Sequence, residues 1–369
     1  MRRFAPSLFA FSSFFSLANA LSGCGGSTAD PATATGAGGS TGVGGSTAAA
    51  GGAGSSVGGA AGAATTTGAG GATGGAGGAP WSAGGPVTTY SPTFATVEAA
   101  PGTEDTQCIT FKLANPDVVN IRRFSTQLAL GTHHIILYKS KETVEAPKPV
   151  PCGGLSGILK GEHPLFIAQQ AHSELLLPTA EDGTPVALQI EAHQMVRMEM
   201  HFINTTAAPI QVSGSIDLDS VPASTTITKG DLAFWGTQNI KIPPNGAYDT
   251  GVKFQSALAG TKSFAVTTHQ HHLGTRMQVW YATGGPGDLG QKVADSTSWS
   301  DPKLNMYSPP LSFDPGASTG FAYQCEWQNT TDQMVKFGES FNDEMCFLWH
   351  YYYPSQGFQV CMDGFCIVK

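Results

Sequence analysis

The stretch Ser263-Phe264-Ala265-Val266-Thr267-Thr268-His269-Gln270-His271-His272-Leu273-Gly274 joins an apolar run to a group of histidines. The apolar run is typical of a buried strand. Successive side chains of a strand alternate between faces, so His269 and His271 are expected to point the same way. Imidazole is a ligand for copper, zinc, iron and nickel alike. The stretch therefore predicts a buried strand ending in a metal site, and the alternative is a polar surface strand.

The rest of the folded chain is also strand-like. Apolar and polar residues alternate in 108–113, 186–190 and 196–202, and turn sequences such as Glu181-Asp182-Gly183 and Pro243-Pro244-Asn245-Gly246 separate such runs. No long segment has a helical period. Many short strands joined by Gly/Pro turns predict an all-β fold of antiparallel sandwiches. We place a domain boundary near Pro222, which gives domains at 87–222 and 223–369.

The first residues have the pattern of an export signal. A positive start, Met1-Arg2-Arg3, precedes an apolar run that ends in Leu21-Ser22-Gly23-Cys24. The last four residues resemble a bacterial lipobox, which predicts a signal peptide at 1–23 and lipidation of Cys24. A free thiol after an ordinary signal is the alternative. A multi-chain lipid anchor would hold the protein on a membrane of the bacterial cell envelope. Since Gly25 gives no inner-membrane retention signal, we favour the outer membrane or cell surface.

Composition separates a tether from the folded part. Residues 24–86 are mostly Gly, Ala, Ser and Thr, which cannot bury enough surface to fold, and we expect a flexible linker there. The formal net charge of −8 and the lack of Lys/Arg clusters argue against nucleic acid. Apart from Cys24, six cysteines remain in a chain predicted to be exported, which suggests three disulfides. We expect a monomer.

Further candidate ligands lie in other strands. His133 and His134 begin an apolar strand, and because neighbours on a strand face opposite sides, both could bind one metal only where the strand begins or twists. His201 lies on the polar face of its strand. Met345 is either a core residue or a soft ligand that favours copper. The remaining histidines are expected at the surface or around the ligands: His163, His172, His193 and His350.

Five motifs occur together in the order and approximate spacing of one known family. They are Glu104-Asp105-Thr106-Gln107-Cys108, His133-His134 before Ile-Ile-Leu, Met200-His201-Phe202, His269-Gln270-His271-His272-Leu273-Gly274, and Asp343-Glu344-Met345-Cys346. With these motifs, residues 87–369 resemble the copper type II, ascorbate-dependent monooxygenases, the family that includes peptidylglycine α-hydroxylating monooxygenase and dopamine β-monooxygenase. The resemblance implies two jelly-roll-like β-sandwich domains.

The resemblance also implies two copper ions per chain, held at two separated sites across a solvent gap. An electron-transfer copper would bind in the first domain, and the copper where O₂ and substrate meet would bind in the second. Ligands of the first copper would be His133, His134 and His201. Those of the second would be His269, His271 and Met345, with His272 beside them.

Disulfide pairings follow from the same resemblance. It implies the pairs Cys108–Cys152 and Cys325–Cys346. Cys361 lacks its usual partner, because the matching position near Phe254 holds no cysteine, and Cys366 is the expected substitute. Such a bridge closes a short loop and should stabilise the fold less than a long-range one.

The implied reaction is hydroxylation of a C–H bond with O₂ and a reductant such as ascorbate. Peptide-amidating members carry an Arg where this chain has Thr267, so we expect no activity on glycine-extended peptides. Trp349 and Tyr351, with Thr267, are the candidate substrate-pocket residues, and the aromatic pair suggests a small apolar or aromatic substrate. Two alternatives stay open: a copper-binding surface lipoprotein for sensing or sequestration, and a structural or adhesive sandwich with incidental histidines.

Overall fold

Antiparallel strands form nearly all regular structure in residues 87–314 and 319–368, which are the residues that the computed structural model describes. Within them, a single short helix, α1 (Ser156–Leu159), interrupts the strands. The expected all-β fold is therefore confirmed. The predicted signal peptide, Cys24, the linker and residues 315–318 lie outside the described residues.

Twelve strands make the first sandwich, which packs two sheets against each other. They are β1 (Thr88–Tyr90), β2 (Thr93–Ala99), β3 (Glu104–Lys112), β4 (Val119–Leu128), β5 (Thr132–Lys139), β6 (Ala146–Pro151), β7 (His163–Ala168), β8 (His172–Leu176), β9 (Val186–Ile190), β10 (Met195–Ile203), β11 (Ile210–Pro222) and β12 (Thr228–Lys229). One sheet has the order β1-β11-β4-β9-β12, and in it β2 also pairs with β11 and β8 with β4. The other sheet has the order β6-β3-β10-β5-β7. Phe124 of β4 stacks on Phe166 of β7 at 5.0 Å between the sheets.

The second sandwich contains the remaining strands. They are β13 (Asp231–Gly236), β14 (Lys241–Ile242), β15 (Ala247–Asp249), β16 (Lys253–Ser256), β17 (Thr261–His269), β18 (Gly274–Ala282), β19 (Leu289–Ser296), β20 (Asn305–Phe313), β21 (Gly320–Gln328), β22 (Val335–Lys336), β23 (Phe347–Tyr353), β24 (Gln359–Met362) and β25 (Phe365–Val368). A sheet of order β20-β17-β23-β13-β24-β25 faces one of order β15-β21-β18-β19, in which β16 also pairs with β21. Strand β12, beyond the expected boundary at Pro222, still pairs with β9 of the first sandwich.

Strand β23 divides two hydrophobic cores. Its odd-numbered residues belong to a core that is continuous with the first sandwich, and Leu348 and Tyr352 belong to a core of the second sandwich alone. This division follows from the alternation of side chains along a central strand. Domains that move freely relative to one another usually meet at small, polar interfaces. The two sandwiches here share one apolar core, so their interface is of the fixed kind.

Three disulfides confirm the predicted pairings: Cys108–Cys152, Cys325–Cys346 and Cys361–Cys366. The last joins directly opposed residues of the β24–β25 hairpin. As for membranes, no helix among the described residues has both the length and the apolar character to span one.

Candidate metal centre

Five histidines from the two sandwiches meet at the shared interface. They are His133, His134, His201, His269 and His271, and each is at most 6% exposed. The ring centroids of His133 and His269 lie 5.3 Å apart, as do those of His134 and His269. The expected solvent gap between two separated sites is therefore wrong for this structure, because the continuous core brings the sandwiches together until the imidazoles are in contact.

The first histidine set, His133, His134 and His201, is assembled by an irregular pairing of β5 with β10. His201 pairs with His134, but Phe202 pairs with Thr132, so His133 is the extra residue of a β-bulge. A bulge re-aims a side chain, which explains how two adjacent histidines reach the same point. Their Nδ1 atoms lie 3.2 Å apart, and ligand atoms of all three residues lie within 4.8 Å of one another.

That geometry fits a metal ion. Two nitrogens bound at about 2.0 Å to one tetrahedral ion lie roughly 3.3 Å apart. The Nε2 atoms of His133 and His134 are buried without a hydrogen-bond partner. Because a buried polar atom normally has a partner, protein groups alone do not satisfy either of these two rings.

A carboxylate of the first sandwich orients His201. Glu104 Oε1 accepts a hydrogen bond from His201 Nε2, at 2.9 Å, and a second from the backbone N–H of Phe341, at 2.5 Å. Partial burial alone would raise the pKa of Glu104, but these hydrogen bonds hold it below its usual value. With Nε2 engaged, Nδ1 of His201 is the nitrogen left for a metal.

In the second histidine set, His269 is the last residue of β17 and His271 lies two residues further on, in the connection to β18. Their ring centroids are 5.3 Å apart. His269 Nδ1 donates to Gln169 Oε1 at 2.6 Å, and His271 Nδ1 donates to the carbonyl of Asp343 at 3.0 Å. Both rings therefore leave Nε2 for a metal.

The buried carboxylate of Glu344 forms hydrogen bonds with the second set and with the segment that contains Met345. Its carboxylate accepts hydrogen bonds from the backbone N–H groups of His271 (3.0 Å), Leu273 (2.7 Å) and Met345 (3.3 Å), and from Trp327 Nε1 (2.8 Å). Burial nevertheless raises the pKa of Glu344 to about 7. Met345 itself is 2% exposed and belongs to the shared core, and Cys346 beside it is fixed by its disulfide to Cys325.

Burial keeps these imidazoles neutral. It lowers the pKa of His133, His134 and His269 well below the ordinary value, and the neighbouring imidazoles lower it further. The pKa of His271 falls to about 4 for the same reasons. Because a metal binds the deprotonated nitrogen, these four imidazoles are in their ligating form at neutral pH.

One aromatic residue of the second sandwich contacts the cluster, and a second packs against it. The ring of Trp299, in the loop before β20, is 5.4 Å from that of His133 and 5.7 Å from that of Phe341. Phe341 stacks on His272 at 4.0 Å, and His272 Nδ1 donates to the Phe341 carbonyl. His272 thus supports the covering loop beside the cluster.

The candidate substrate-pocket residues lie in the packed interface. Thr267, Trp349 and Tyr351 are at most 2% exposed. The Thr267 hydroxyl accepts a hydrogen bond from Gln169 of the first sandwich, and the Tyr351 hydroxyl accepts one from the backbone of Ile167. Their place follows from the alternation on β17 and β23, which turns these side chains toward the first sandwich.

Two histidines outside the cluster differ in their surroundings. The expectation that His350 lies at the surface or beside the ligands is wrong: it is 2% exposed among Trp235, Phe321 and Tyr352 in the second core. It is an even-numbered residue of β23, so it faces away from the interface. His163 is half-buried and bonded to Asp231 across the interface at 2.8 Å.

Sequence reasoning gave no role to Glu104, Gln169, Glu344, Trp299 or Phe341. Glu104 and Glu344 lie inside the quoted motifs, and Trp299 is an isolated aromatic residue in a Ser-rich segment. The sequence could therefore have marked each of them as a candidate functional residue. Nothing in the sequence distinguishes Gln169 from its neighbour Gln170.

Comparisons with known proteins agree with this centre. Residues 237–365 match the family described as copper type II ascorbate-dependent monooxygenase, C-terminal domain. The matched range contains the second histidine set and Met345. No curated protein sequence matches the chain.

Solved structures add no argument about function. The major capsid protein P2 of bacteriophage PM2 superposes with a TM-score of 0.30 at 9% identity, covering 72% of this chain and 97% of that one. A structure of infectious bursal disease virus, Gx strain, gives a TM-score of 0.11 at 10% identity, covering 72% and 71%.

Proposed function

We propose that this chain is a copper-dependent monooxygenase that hydroxylates a C–H bond of a small substrate with O₂ and an ascorbate-like reductant. The observation that carries the proposal is that the Glu344 carboxylate accepts hydrogen bonds from the backbone N–H groups of both His271 and Met345, inside the range that matches the copper monooxygenase family. The imidazole and thioether donors suit copper, and a thioether favours Cu(I) in particular.

The overall reaction balances as R–H + O₂ + 2e⁻ + 2H⁺ → R–OH + H₂O. Two ascorbate-like donors, each giving one electron, would supply the electrons. Bound copper would supply the one-electron redox chemistry that O₂ requires. We propose two ions per chain, one on His133, His134 and His201 and one on His269, His271 and Met345.

The chain's own residues prepare this chemistry. Glu104 and Gln169 each engage one nitrogen of a ligand histidine and leave the other for a metal. Trp299 covers His133 from the second sandwich and limits the access of water. The buried imidazoles of His133 and His269 stay neutral, so neither has to lose a proton to become a ligand.

For the substrate, we propose a small apolar or aromatic molecule and no peptide carboxylate. Thr267 stands where an arginine would grip such a carboxylate, and its hydroxyl is already engaged by Gln169. A threonine also lacks the charge for a bidentate ion pair. Efficient turnover of a glycine-extended peptide would contradict this part of the proposal.

The test is a substrate screen with the copper-loaded full chain and ascorbate. We expect reductant-dependent O₂ consumption and a product heavier by one oxygen atom, detected by mass. ¹⁸O₂ should label that product, because the inserted atom comes from O₂. Copper uptake without any reductant-dependent O₂ consumption across the screen would contradict the proposal.

One observation favours a second candidate, a copper-binding lipoprotein without turnover. All five histidines are at most 6% exposed, and the candidate substrate residues are packed in the core. Such closure suits sequestration of an ion. The same O₂ assay separates the two functions, because sequestration predicts tight copper binding and no O₂ consumption.

We further propose that Cys24 anchors the protein to the bacterial cell envelope through lipid, facing an oxidising compartment. The three disulfides support export, since disulfides persist in such compartments. Labelling of the wild type by an alkyne fatty acid, lost in Cys24→Ala, is the expected result. Equal labelling of both forms would contradict it.

A further inference from the structure

The side chain of Gln169 connects the first sandwich to the strand that presents His269. Gln169 follows β7 and is 4% exposed. Its Oε1 lies 2.6 Å from His269 Nδ1, and its Nε2 lies 2.8 Å from the carbonyl oxygen of Thr268 and 3.2 Å from the hydroxyl of Thr267. One amide thus contacts three consecutive residues of β17.

These contacts fix the tautomer of His269. The Thr268 carbonyl can only accept a hydrogen bond, so the atom facing it must be the amide nitrogen of Gln169. Oε1 then faces His269, and because it can only accept, Nδ1 of His269 must carry the proton. The neutral ring therefore presents Nε2, without a proton, to the interior of the cluster.

The neighbouring residue makes a second contact between the sandwiches. Gln170 Nε2 donates to Asp301 Oδ1 at 2.7 Å, and Asp301 lies in the same loop as Trp299. Gln169 therefore contacts the end of β17, and Gln170 contacts the loop that contains Trp299. Of the two glutamines, only Gln169 forms a hydrogen bond with a histidine.

We propose that Gln169 is a positioning residue for the metal site of the second sandwich, so that this site is complete only while the first sandwich is docked. The inference rests on the proposed function to the extent that His269 binds copper. The hydrogen-bond partner of a ligating histidine orients the ring and raises its basicity, and its loss typically weakens metal binding about 10- to 100-fold. The copper affinity of the second sandwich therefore depends on its contact with the first sandwich.

The experiment compares Gln169→Met with Gln170→Met in the full chain. Methionine resembles glutamine in size but can replace neither the acceptor for His269 nor the donor to Thr268. Cu(I) affinities are measured by chelator competition. We expect one of the two bound ions to bind about 10- to 100-fold more weakly in Gln169→Met and both to be unchanged in Gln170→Met.

Two spectroscopic readouts separate positioning from a general loss of packing. In the Cu(II) form, electron spin-echo modulation from the remote, protonated nitrogen of a ligand imidazole should change in Gln169→Met. In the copper-free form, ¹⁵N spectra of histidine-labelled protein should show one imidazole, assigned with His269→Ala, that carries its proton on Nδ1 in the wild type and loses this preference in Gln169→Met.

The outcomes distinguish this inference from the proposed function. Two tightly bound coppers in the wild type and the same affinities and spectra in Gln169→Met would overturn the inference and leave the proposed function standing. Equal losses in both variants would also overturn it. A wild type that takes up no copper would overturn both.

Discussion

His133 and His269 belong to different sandwiches, yet their imidazole rings lie with centroids 5.3 Å apart. The contact follows from one apolar core shared across the interface, which includes Met345, Phe347 and Trp349 of the second sandwich. The two ligand sets therefore form one buried cluster of five histidines.

Met345→Ile should remove the copper of the second set. Isoleucine has a similar volume, so we expect the change in core stability to stay below about 1.5 kcal/mol, but it has no sulfur to bind a metal. Copper analysis should fall from two ions per chain to one, with loss of reductant-dependent O₂ consumption. Met277→Ile, in the second core, is the matched control and should keep both ions. Unchanged O₂ consumption in Met345→Ile would show that the ligand is misassigned.

Glu104→Ala should weaken copper binding by the first set. The substitution removes the acceptor for His201 Nε2 and for the Phe341 N–H, and we expect a loss of about 10- to 100-fold in Cu(I) affinity. Glu104→Gln keeps an oxygen acceptor and should recover most of that loss. Asp105→Asn is the control, because its carboxylate accepts from the Thr106 N–H and from Gln107 Nε2. An affinity unaffected by Glu104→Ala would contradict the assigned role.

His350 should make the copper-free protein less stable in acid. Burial lowers the pKa of this imidazole in the folded state to about 3, below its ordinary value of 6.5. Between these values the unfolded chain binds a proton that the folded one does not. The contribution of neutral His350 to the free energy of unfolding is therefore fully present above pH 6.5. It is lost as the pH falls through this window, by about 1.4 kcal/mol per pH unit.

Denaturant unfolding between pH 4 and 6 measures this effect. His350→Phe should reduce the pH slope by about 1.4 kcal/mol per unit, and exposed His172→Asn should leave the slope as in the wild type. An equal slope in His350→Phe and the wild type would mean that the imidazole is not buried in its neutral form.

The disulfides should differ in their contribution to stability. Cys108–Cys152 closes 44 residues of chain and Cys361–Cys366 closes 5. Loop-closure entropy predicts that replacing the first pair by serine costs roughly 2 kcal/mol more than replacing the second. Denaturant unfolding of the two double variants provides the comparison, and equal losses would contradict the entropic account.

Local patterns were enough to predict much of this molecule. The apolar run 263–267 predicted the buried strand β17, which ends at His269, and the turn sequences predicted an all-β fold. The adjacent pair His133 and His134 required a strand start or a twist, and the β-bulge at His133 supplies it.

The interface between the sandwiches could not be predicted from such patterns. Alternation on β23 separates Trp349 and Tyr351 from His350, but it does not say which face meets another sandwich. The contact of Gln169 with His269 joins residues 100 positions apart, and no local period encodes it. The closeness of the two histidine sets depends on that same long-range packing.

The most direct test of the central claim is electron paramagnetic resonance of the full chain loaded with two Cu(II) ions. If the five histidines form one cluster, the two ions lie close together, and we predict a dipolar-broadened spectrum with a half-field transition. His201→Ala should return the signal to that of a single isolated ion. Two uncoupled Cu(II) signals in the wild type, or no specific copper binding, would contradict the account.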